Sequence, residues 1–399
     1  MVTDKSKKPE LRFKGFSDDW EQRKLSNVAE IVGGGTPSTL NPDYWDGDID
    51  WYAPAEIGKQ IFANGSIRKI TKDGLNHCSA KILPAYKTVL FTSRAGIGNM
   101  AILQRSAATN QGFQSLVCHD NIDPYFVFSM GDNIKIKAKH IAAGSTFAEI
   151  SGKKLGALEF MFPDADEQKA IGAYFMSLDK LITLHQRKCE NLKIIKKSML
   201  DNLFPKNGEK IPRWRFKGFN DDWEQRKFGD IVQRRSTVQQ SSHDLPGVEY
   251  EDVVSESGIL NKNIRDKETN KNGILFDGNQ VLYGKLRPYL HNWLNPDFKG
   301  VAVGDWWVLQ PIDVDKDFLY RLLQTQRFDD VANQSSGSKM PRADWNLVSN
   351  TNFMIPNDLE EQSKIGQYFL RLDNLITLHQ SEVERLKKVK QFFLDKMFI

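Results

Sequence analysis

Two segments of the chain carry hydrophobic residues in steps of four and three, which mostly alternate, and this predicts two long helices that bury one face against another helix. Acidic residues precede each segment and lysines follow, as the helix dipole favours. About 37 residues at ~1.5 Å each predict helices of roughly 55 Å. The predicted seam residues are Ile171, Phe175, Leu178, Ile182, His185, Cys189, Leu192, Ile195 and Met199, and then Ile365, Phe369, Leu372, Ile376, His379, Val383, Leu386, Val389 and Phe393.

The two helices belong to an internal repeat. Residues 12–25 read RFKGFSDDWEQRKL and residues 215–228 read RFKGFNDDWEQRKF, a difference at two positions, while residues 167–186 and 361–380 are a second matching pair. The histidines of the two seams, His185 and His379, are equivalent in this repeat. A polar side chain in such a seam more often fixes the helix register than binds a metal.

The segments between the repeated pieces have little in common. They mix short runs predicted to be rich in β-structure, such as Thr88–Thr92 and Gly300–Leu309, with turns rich in Gly, Asn and Pro, and with helical stretches such as Phe318–Phe328, which predicts α+β domains. If a pseudo-twofold axis relates the repeats, the helices run antiparallel with one domain at each end. The predicted divisions are an arm at 1–28, a domain at 29–162, a helix at 163–206, a second arm at 207–231, a second domain at 232–356 and a helix at 357–399.

Composition narrows the function only slightly. The 399 residues include 55 basic and 51 acidic ones, a net charge of +4, which does not by itself indicate a nucleic-acid binder. A local excess of basic residues between Arg187 and Lys217 favours contact with phosphates, although a solvated helix face explains it equally well. The charged N-terminus and the absence of a long apolar run predict a cytoplasmic protein with no membrane contact.

Six motifs occur between the repeated arms and long helices, which we call the frame. The first domain contains GGGTPSTLNPDYWDGDIDWYAPAEI at 33–57, SRAGIGNMAIL at 93–103, NQGFQSL at 110–116 and GSTFAEIS at 144–151. The second domain contains LYGKLRPYL at 282–290 and SSGSKMPRADW at 335–345. In this arrangement the chain resembles the specificity subunits of type I restriction-modification enzymes, over essentially its whole length.

The resemblance implies a non-catalytic subunit with two target-recognition domains separated by an antiparallel two-helix coiled coil. Such a subunit reads an asymmetric two-part target in double-stranded DNA and directs adenine methylation or cleavage by its partners. The partners are two methyltransferase subunits and translocating nuclease subunits, which use S-adenosylmethionine, ATP and Mg²⁺. We expect no cofactor and no metal in this chain.

Polar residues in the motif loops are the predicted DNA contacts, because amides and guanidinium groups pair with base edges and hydroxyls reach phosphates. In the first domain they are Thr36, Ser38, Arg94, Asn110, Gln111, Ser145 and Thr146, and in the second they are Lys285, Arg287, Tyr289, Ser338, Lys339 and Arg342.

Two other functions stay open at this point. One is the recognition part of a stand-alone DNA methyltransferase, because residues 41–44 and 295–298 approach the Asn-Pro-Pro-aromatic motif of adenine methyltransferases, with Asp in place of the second proline. No cofactor-binding domain precedes either copy, and Asn-Pro-Asp is a strong turn former. The other is a coiled-coil adaptor that binds protein. Zinc at His77–Cys78 and Cys118–His119 has little support, because no spaced Cys-x-x-Cys pair is present.

Overall fold

The computed structural model describes residues 7–58, 60–143, 149–206, 208–267, 270–334 and 340–399. It divides into two compact units. Unit 1 contains residues 1–185 and 382–399, and unit 2 contains residues 186–381. Both boundaries fall inside the long helices, so each unit combines one variable domain with a stretch of each helix.

The domain of unit 1 is built on a five-stranded sheet of order β2-β9-β6-β7-β4, with a three-stranded sheet of order β5-β3-β8. The strands β6 and β7 are buried along their whole length, because their sequences TVLF and MAIL carry almost only apolar side chains. The strands are β1 (Glu21–Lys24), β2 (Ala29–Gly33), β3 (Trp45–Tyr52), β4 (Phe62–Ala63), β5 (Arg68–Ile70), β6 (Thr88–Phe91), β7 (Met100–Leu103), β8 (Ala108–Thr109), β9 (Gln114–Cys118) and β10 (Glu159–Phe162), and the short helices are α1 (Lys72–Asn76), α2 (Pro124–Ser129), α3 (Gly131–Ala142) and α4 (Gly152–Gly156).

Unit 2 has a different sheet arrangement, with two four-stranded sheets of order β12-β21-β18-β19 and β13-β17-β20-β14. The strands are β11 (Glu224–Lys227), β12 (Val232–Arg235), β13 (Val238–Gln240), β14 (Gly247–Glu249), β15 (Val253–Val254), β16 (Ile259–Leu260), β17 (Asn272–Phe276), β18 (Val281–Gly284), β19 (Trp293–Leu294), β20 (Gly300–Val303), β21 (Trp306–Pro311) and β22 (Asn352–Ile355). The long helices are α5 (Ala165–Leu203) and α10 (Leu359–Met397), and the short helices are α6 (Phe228–Ile231), α7 (Lys316–Leu322), α8 (Gln326–Ala332) and α9 (Trp345–Asn350). Short 3-10 turns lie at Leu25–Asn27, Pro42–Tyr44, Pro54–Glu56, Tyr250–Asp252, Ile264–Asp266 and Pro288–Leu290.

Two predicted segments of unit 2 are each divided into two elements. The run Gly300–Leu309, predicted to be rich in β-structure, forms the two strands β20 and β21, because the chain turns at Gly304 with a φ of +93°. The predicted helix Phe318–Phe328 is two helices, α7 and α8. The second begins after Thr325, whose hydroxyl oxygen accepts a hydrogen bond from the amide of Phe328 and so caps a new helix.

The repeated arms attach to the units in the same way. In unit 1, β1 pairs antiparallel with β10, and in unit 2, β11 pairs antiparallel with β22. Arg12 donates from Nε and from its second terminal nitrogen to the two carboxylate oxygens of Glu167, at 2.7 and 2.6 Å. Arg215 donates to Glu361 in the same manner, at 2.6 and 2.8 Å. Each arm is therefore tied to the beginning of the long helix that follows it.

Each long helix also lies very close to a short helix of its domain. A Cβ added to Gly172 of α5 would lie 2.2 Å from the Asp123 Oδ1 atom, and one added to Gly366 of α10 would lie 2.5 Å from the Asp317 Cβ atom. One helical turn before each glycine, Gln168 accepts a hydrogen bond from the Asp123 amide and Gln362 accepts one from the Asp315 amide.

The predicted seams are buried over most of their length. In unit 1 the first part of α5 shares its core with the last part of α10, and in unit 2 the last part of α5 shares its core with the first part of α10, as expected for antiparallel helices. That the pair forms a supercoil stays a prediction. The buried seam residues are Ile171, Phe175, Leu178, Ile182 and Cys189 of α5, and Ile365, Phe369, Leu372, Ile376, Val383 and Leu386 of α10, while His185 and His379 are half-buried.

One predicted seam residue was wrong. Ile195 is 45% exposed, and the half-buried position in that turn belongs to Lys196. Two successive steps of three, from Cys189 through Leu192 to Ile195, fall short of the alternating pattern, which rotates Ile195 out of the helix contact. The apolar character of Ile195 suggested a seam position that the helix geometry does not provide.

We expect Glu167→Gln to lower the free energy of unfolding by about 3 kcal/mol, because it leaves the Arg12 guanidinium without its counter-charge in a site where the glutamate is fully buried. Urea unfolding followed by circular dichroism measures the change. The control is Glu360→Gln, which removes an exposed pair with Lys364 and should cost no more than about 0.5 kcal/mol. Equal effects of the two substitutions would contradict this role of the buried pair.

Candidate nucleic-acid interface

Two of the predicted contact loops of unit 1 lie side by side. The Gly35 amide donates to the Thr109 carbonyl at 2.9 Å, and a Cβ on Gly34 would lie 2.0 Å from the Asn110 carbonyl oxygen. This approach is possible only for glycine. It brings Thr36 next to Gln111, and the Thr36 hydroxyl donates to the Gln111 side-chain oxygen. Both side chains are exposed.

A third loop, residues 93–98, joins them. The Ser93 amide donates to the Gly112 carbonyl at 2.8 Å, and the Ser93 carbonyl accepts from the Ile150 amide at 3.1 Å. Positive φ angles at Gly96 and Gly98 form its tight turn. Residues 96–101 have the Gly-x-Gly-x-x-Ala spacing of dinucleotide-binding motifs, but the strand β7 follows the turn where such a motif requires a helix.

The structure gives the predicted residues of unit 1 different environments. Arg94 is half-buried and forms no hydrogen bond or ion pair with the residues that the structure describes. The Asn110 side-chain oxygen accepts from the Gly112 amide at 2.8 Å, which makes this asparagine a turn former. Ser38 is exposed, and its carbonyl accepts from the Trp45 indole at 3.1 Å. Ser145 and Thr146 lie outside the described residues.

Lysines beside these loops were missed in the sequence. Lys135 of α3 packs against the 93–98 loop, because a Cβ on Gly98 would lie 2.5 Å from the Lys135 Cγ atom. At Gly152, α4 lies against the Gln114 side chain, next to β2 and its glycine loop. Lys139, Lys153 and Lys154 are exposed, and none has a carboxylate partner in the described ranges. The alternating lysines of α3 and the pair in α4 were visible in the sequence, but only the fold places them at the loops.

In unit 2, two predicted contact residues share one carboxylate. Arg342 donates from Nε and from a terminal nitrogen to the two oxygens of Asp305, both at 3.1 Å, and the Lys285 ammonium lies 3.6 Å from the same group. The Arg342 guanidinium holds the pKa of Asp305 below its ordinary value, with Lys285 acting in the same direction. The Arg342 side chain is 53% exposed, so part of this guanidinium faces solvent.

The two predicted loops of unit 2 also lie together. The Ala343 amide donates to the Lys285 carbonyl at 2.8 Å, and the Arg287 amide donates to the Pro341 carbonyl at 2.7 Å. Arg287 has a φ of +47°, which is unusual for a residue with a side chain. Tyr289 is 51% exposed. Ser338 and Lys339 lie outside the described residues.

Three residues of the alternative motifs have structural roles. They are Asn41 and Asn295 of the methyltransferase-like motifs and Cys118 of the second possible zinc pair. Asn41 caps a 3-10 turn, where its side-chain oxygen accepts from the Asp43 amide at 3.1 Å, and Asn295 donates to Asp317 at 2.6 Å. Cys118 is buried, and this burial raises the pKa of its thiol to about 12.

Within the described ranges, no group of three or more His, Cys, Asp or Glu side chains is arranged to hold a metal ion. None of the helices described there is long and apolar enough to cross a membrane.

Known proteins share both the sequence pattern and the fold. The family model described as the type I restriction modification DNA specificity domain matches residues 17–193 and 220–388. The chain is 27% identical over 416 aligned positions to the type I restriction enzyme MjaIX specificity subunit of Methanocaldococcus jannaschii, covering 95% of this chain and 92% of that protein. It is 28% identical over 190 residues to the EcoR124I/EcoR124II specificity subunit of Escherichia coli, covering 46% and 45% of the two chains.

Solved structures agree on the fold. The crystal structure of the type I restriction-modification system S subunit from M. genitalium superposes with a TM-score of 0.66 at 16% identity, covering 98% of this chain and 99% of that one. A chain from a structural study of complex assembly and conformational transition in the type I system gives a TM-score of 0.53, also at 16% identity, covering 96% and 99%.

Proposed function

Since this chain belongs to the type I restriction modification DNA specificity family, it is a non-catalytic DNA-specificity subunit, and we propose that it reads an asymmetric two-part target. The observation that carries the proposal is the contrast between frame and domains. The arms are repeated almost unchanged and the long helices begin with matching sequences at 167–186 and 361–380, while unit 1 has a five-stranded sheet and unit 2 has two four-stranded sheets. Two unlike domains on one repeated frame favour two unlike half-sites.

In unit 1, we assign base reading to the joined loops and phosphate contact to the lysines. Thr36 and Gln111 present a hydroxyl and an amide on one surface, and Arg94 adds a guanidinium that has no partner among the described residues. An amide or a guanidinium can form paired hydrogen bonds with a base edge. Lys139, Lys153 and Lys154 are exposed on α3 and α4, which pack beside these loops, and their positive charge suits the DNA backbone.

In unit 2, we assign DNA contact to the group formed by Lys285, Arg287, Tyr289 and Arg342. Asp305 holds Arg342 through two parallel hydrogen bonds, so the guanidinium is oriented before DNA arrives. Pre-orientation lowers the entropy lost on binding. The exposed Tyr289 ring offers an apolar face and a hydroxyl at the same surface.

Two repeat-equivalent apolar patches support docking of partner subunits. Leu181 and Leu184 of α5 are 44% and 47% exposed, and their equivalents Leu375 and Leu378 of α10 are 43% and 60% exposed. One patch lies in each unit, which fits two copies of one partner. We assign them to two methyltransferase subunits, to which translocating nuclease subunits are added for cleavage. In this proposal S-adenosylmethionine, ATP and Mg²⁺ bind to those partners, and the complex acts on DNA in the cytoplasm.

The proposed function predicts a methylated two-part motif. Co-expression of the chain with its methyltransferase in a host without other adenine methylation, followed by mapping of methylated adenines, should give one motif with two unlike halves. Replacing residues 232–356 by the corresponding block of another family member should change one half only. Methylation without sequence preference, or none at all, would contradict the DNA-specificity function and favour a protein adaptor.

Arg94 and Lys154 should have separable effects on DNA binding. We expect Arg94→Ala to cost ~1–3 kcal/mol in affinity for the matched target and to relax the preference at one base. Lys154→Ala should weaken binding to all sequences and should reduce the slope of the logarithm of the binding constant against the logarithm of the salt concentration by about one. Fluorescence anisotropy of the subunit with its methyltransferase, measured at several salt concentrations, checks both. Lys87→Ala is the control, because that lysine already contacts Asp120. An unchanged salt slope in Lys154→Ala would remove this lysine from the interface.

The leucine patches should control partner stoichiometry. Leu181→Asp places a charge in one patch and should reduce the bound methyltransferase from two copies to one, and Leu181→Asp with Leu375→Asp should abolish binding. Native mass spectrometry of the co-purified complex measures the copies. Ile67→Asp is a matched control, because Ile67 is 86% exposed but lies outside the long helices. Two bound copies in the double variant would exclude this docking surface.

A further inference from the structure

Each long helix carries one lysine within its seam. Lys196 of α5 lies seven residues after the buried Cys189, and Lys390 of α10 lies seven residues after the buried Val383. A spacing of seven places both lysines where the pattern calls for an apolar residue. The two lysines are equivalent in the internal repeat, and their side chains are only 17% and 23% exposed.

Each of these lysines faces an aspartate of the other helix. In unit 1, the Lys390 ammonium lies 2.7 and 2.8 Å from the two carboxylate oxygens of Asp179. In unit 2, the Lys196 ammonium lies 2.7 Å from Asp373. The two aspartates are also equivalent in the repeat. The same cross-helix pair therefore occurs twice, with the roles of the helices exchanged.

A third side chain, from the variable domain, completes each group. The Tyr125 hydroxyl of α2 donates to Asp179 at 2.8 Å. The Arg321 guanidinium of α7 lies 2.7 Å from Asp373 and is 1% exposed. Each aspartate therefore connects both long helices to the recognition domain of its own unit, although the third partner is neutral in one unit and cationic in the other.

We propose that Asp179 and Asp373 are positioning residues, which select a single antiparallel register of the long helices and orient each recognition domain on them. If the helices slide past each other by a heptad, both charges of each pair lose their partner and face apolar side chains, which is strongly unfavourable. Apolar residues at these positions would stabilise the helix pair equally well, but they would stabilise several registers and not only one. The inference rests on the proposed function, because its consequence is the accuracy of target reading.

Charge exchange tests the pairing. With the full chain and its methyltransferase co-expressed, we expect Asp179→Lys and Lys390→Asp each to reduce methylation of the wild-type motif by at least about tenfold, and the two together to restore it to within about threefold. Combining Asp179→Lys with Lys196→Asp should not restore it, because Lys196 is paired with Asp373. Exchanging the exposed pair Glu360 and Lys364 is the control and should have no effect.

An apolar replacement separates positioning from stability. We expect a variant in which both groups are made apolar to fold with a cooperative thermal transition yet to methylate additional motifs with a different number of bases between the two halves. The substitutions are Asp179→Leu, Lys390→Leu and Tyr125→Phe in unit 1, and Asp373→Leu, Lys196→Leu and Arg321→Met in unit 2, so that no buried charge or hydroxyl of the two groups is left without a partner. A folded variant that methylates only the wild-type motif would overturn the proposal, as would restoration by the mismatched charge exchange. If the wild-type chain itself yields no two-part motif, that result excludes the proposed function, and the positioning role that rests on it is excluded as well.

Discussion

The buried ion pair between each arm and the following long helix is the interaction on which the rest of the fold depends. Glu167 and Glu361 are 0% and 1% exposed, and each binds an arginine of its arm through two short hydrogen bonds. A carboxylate cannot stay ionised in such a place without a partner. The pair therefore requires the arm to lie against the helix start, which in turn positions β1 beside β10 and β11 beside β22.

Apart from the side chains that Tyr125 and Arg321 contribute to the aspartates of the long helices, contacts from the frame to the domains use backbone groups of the domains, which explains how the domains can differ. Gln168 and Gln362 each accept a hydrogen bond from a backbone amide, that of Asp123 and that of Asp315. The strand pairs of the arms also depend on backbone hydrogen bonds. A backbone amide is available whatever the side chain is, so a recognition domain can change its sequence without losing its attachment. Repetition of the frame and divergence of the domains are thus compatible in one chain.

The sequence predicted the frame better than the domains, for a physical reason. Seam residues such as Phe175 and Phe369 repeat with a period set by helix geometry, so the pattern alone locates them. The error at Ile195 arose where the half-buried Lys196 takes an apolar position, a substitution that only the opposing charge of Asp373 makes tolerable. Sheet order, in contrast, depends on pairings between distant strands such as β2 with β9, which leave no periodic signal.

The candidate interface was likewise predicted only in part from the sequence. The loops of Thr36, Arg94 and Gln111 were predictable from their polar and glycine-rich sequences, but their joining depends on hydrogen bonds across more than seventy residues of the chain, such as the one from Thr36 to Gln111. Lysines 135, 139, 153 and 154 were missed because helical lysines are usually only a solvated face. Their proximity to the loops follows from packing at Gly98 and Gly152, where the absence of a side chain lets α3 and α4 approach.

The pairing of charges explains why a net charge of +4 is compatible with the proposed DNA contact. In unit 2, Asp305 neutralises part of the charge of Lys285 and Arg342 while it holds them in place. Such a pair attracts phosphate weakly at a distance, but it presents fixed donors at short range, where base edges are distinguished. In the proposed interface, non-specific affinity then depends mainly on Lys139, Lys153 and Lys154, which have no carboxylate partners in the described ranges. A specificity subunit benefits when non-specific attraction and base reading are assigned to different residues. Weak general attraction lets the complex leave incorrect sites, and the oriented donors retain it at the correct one.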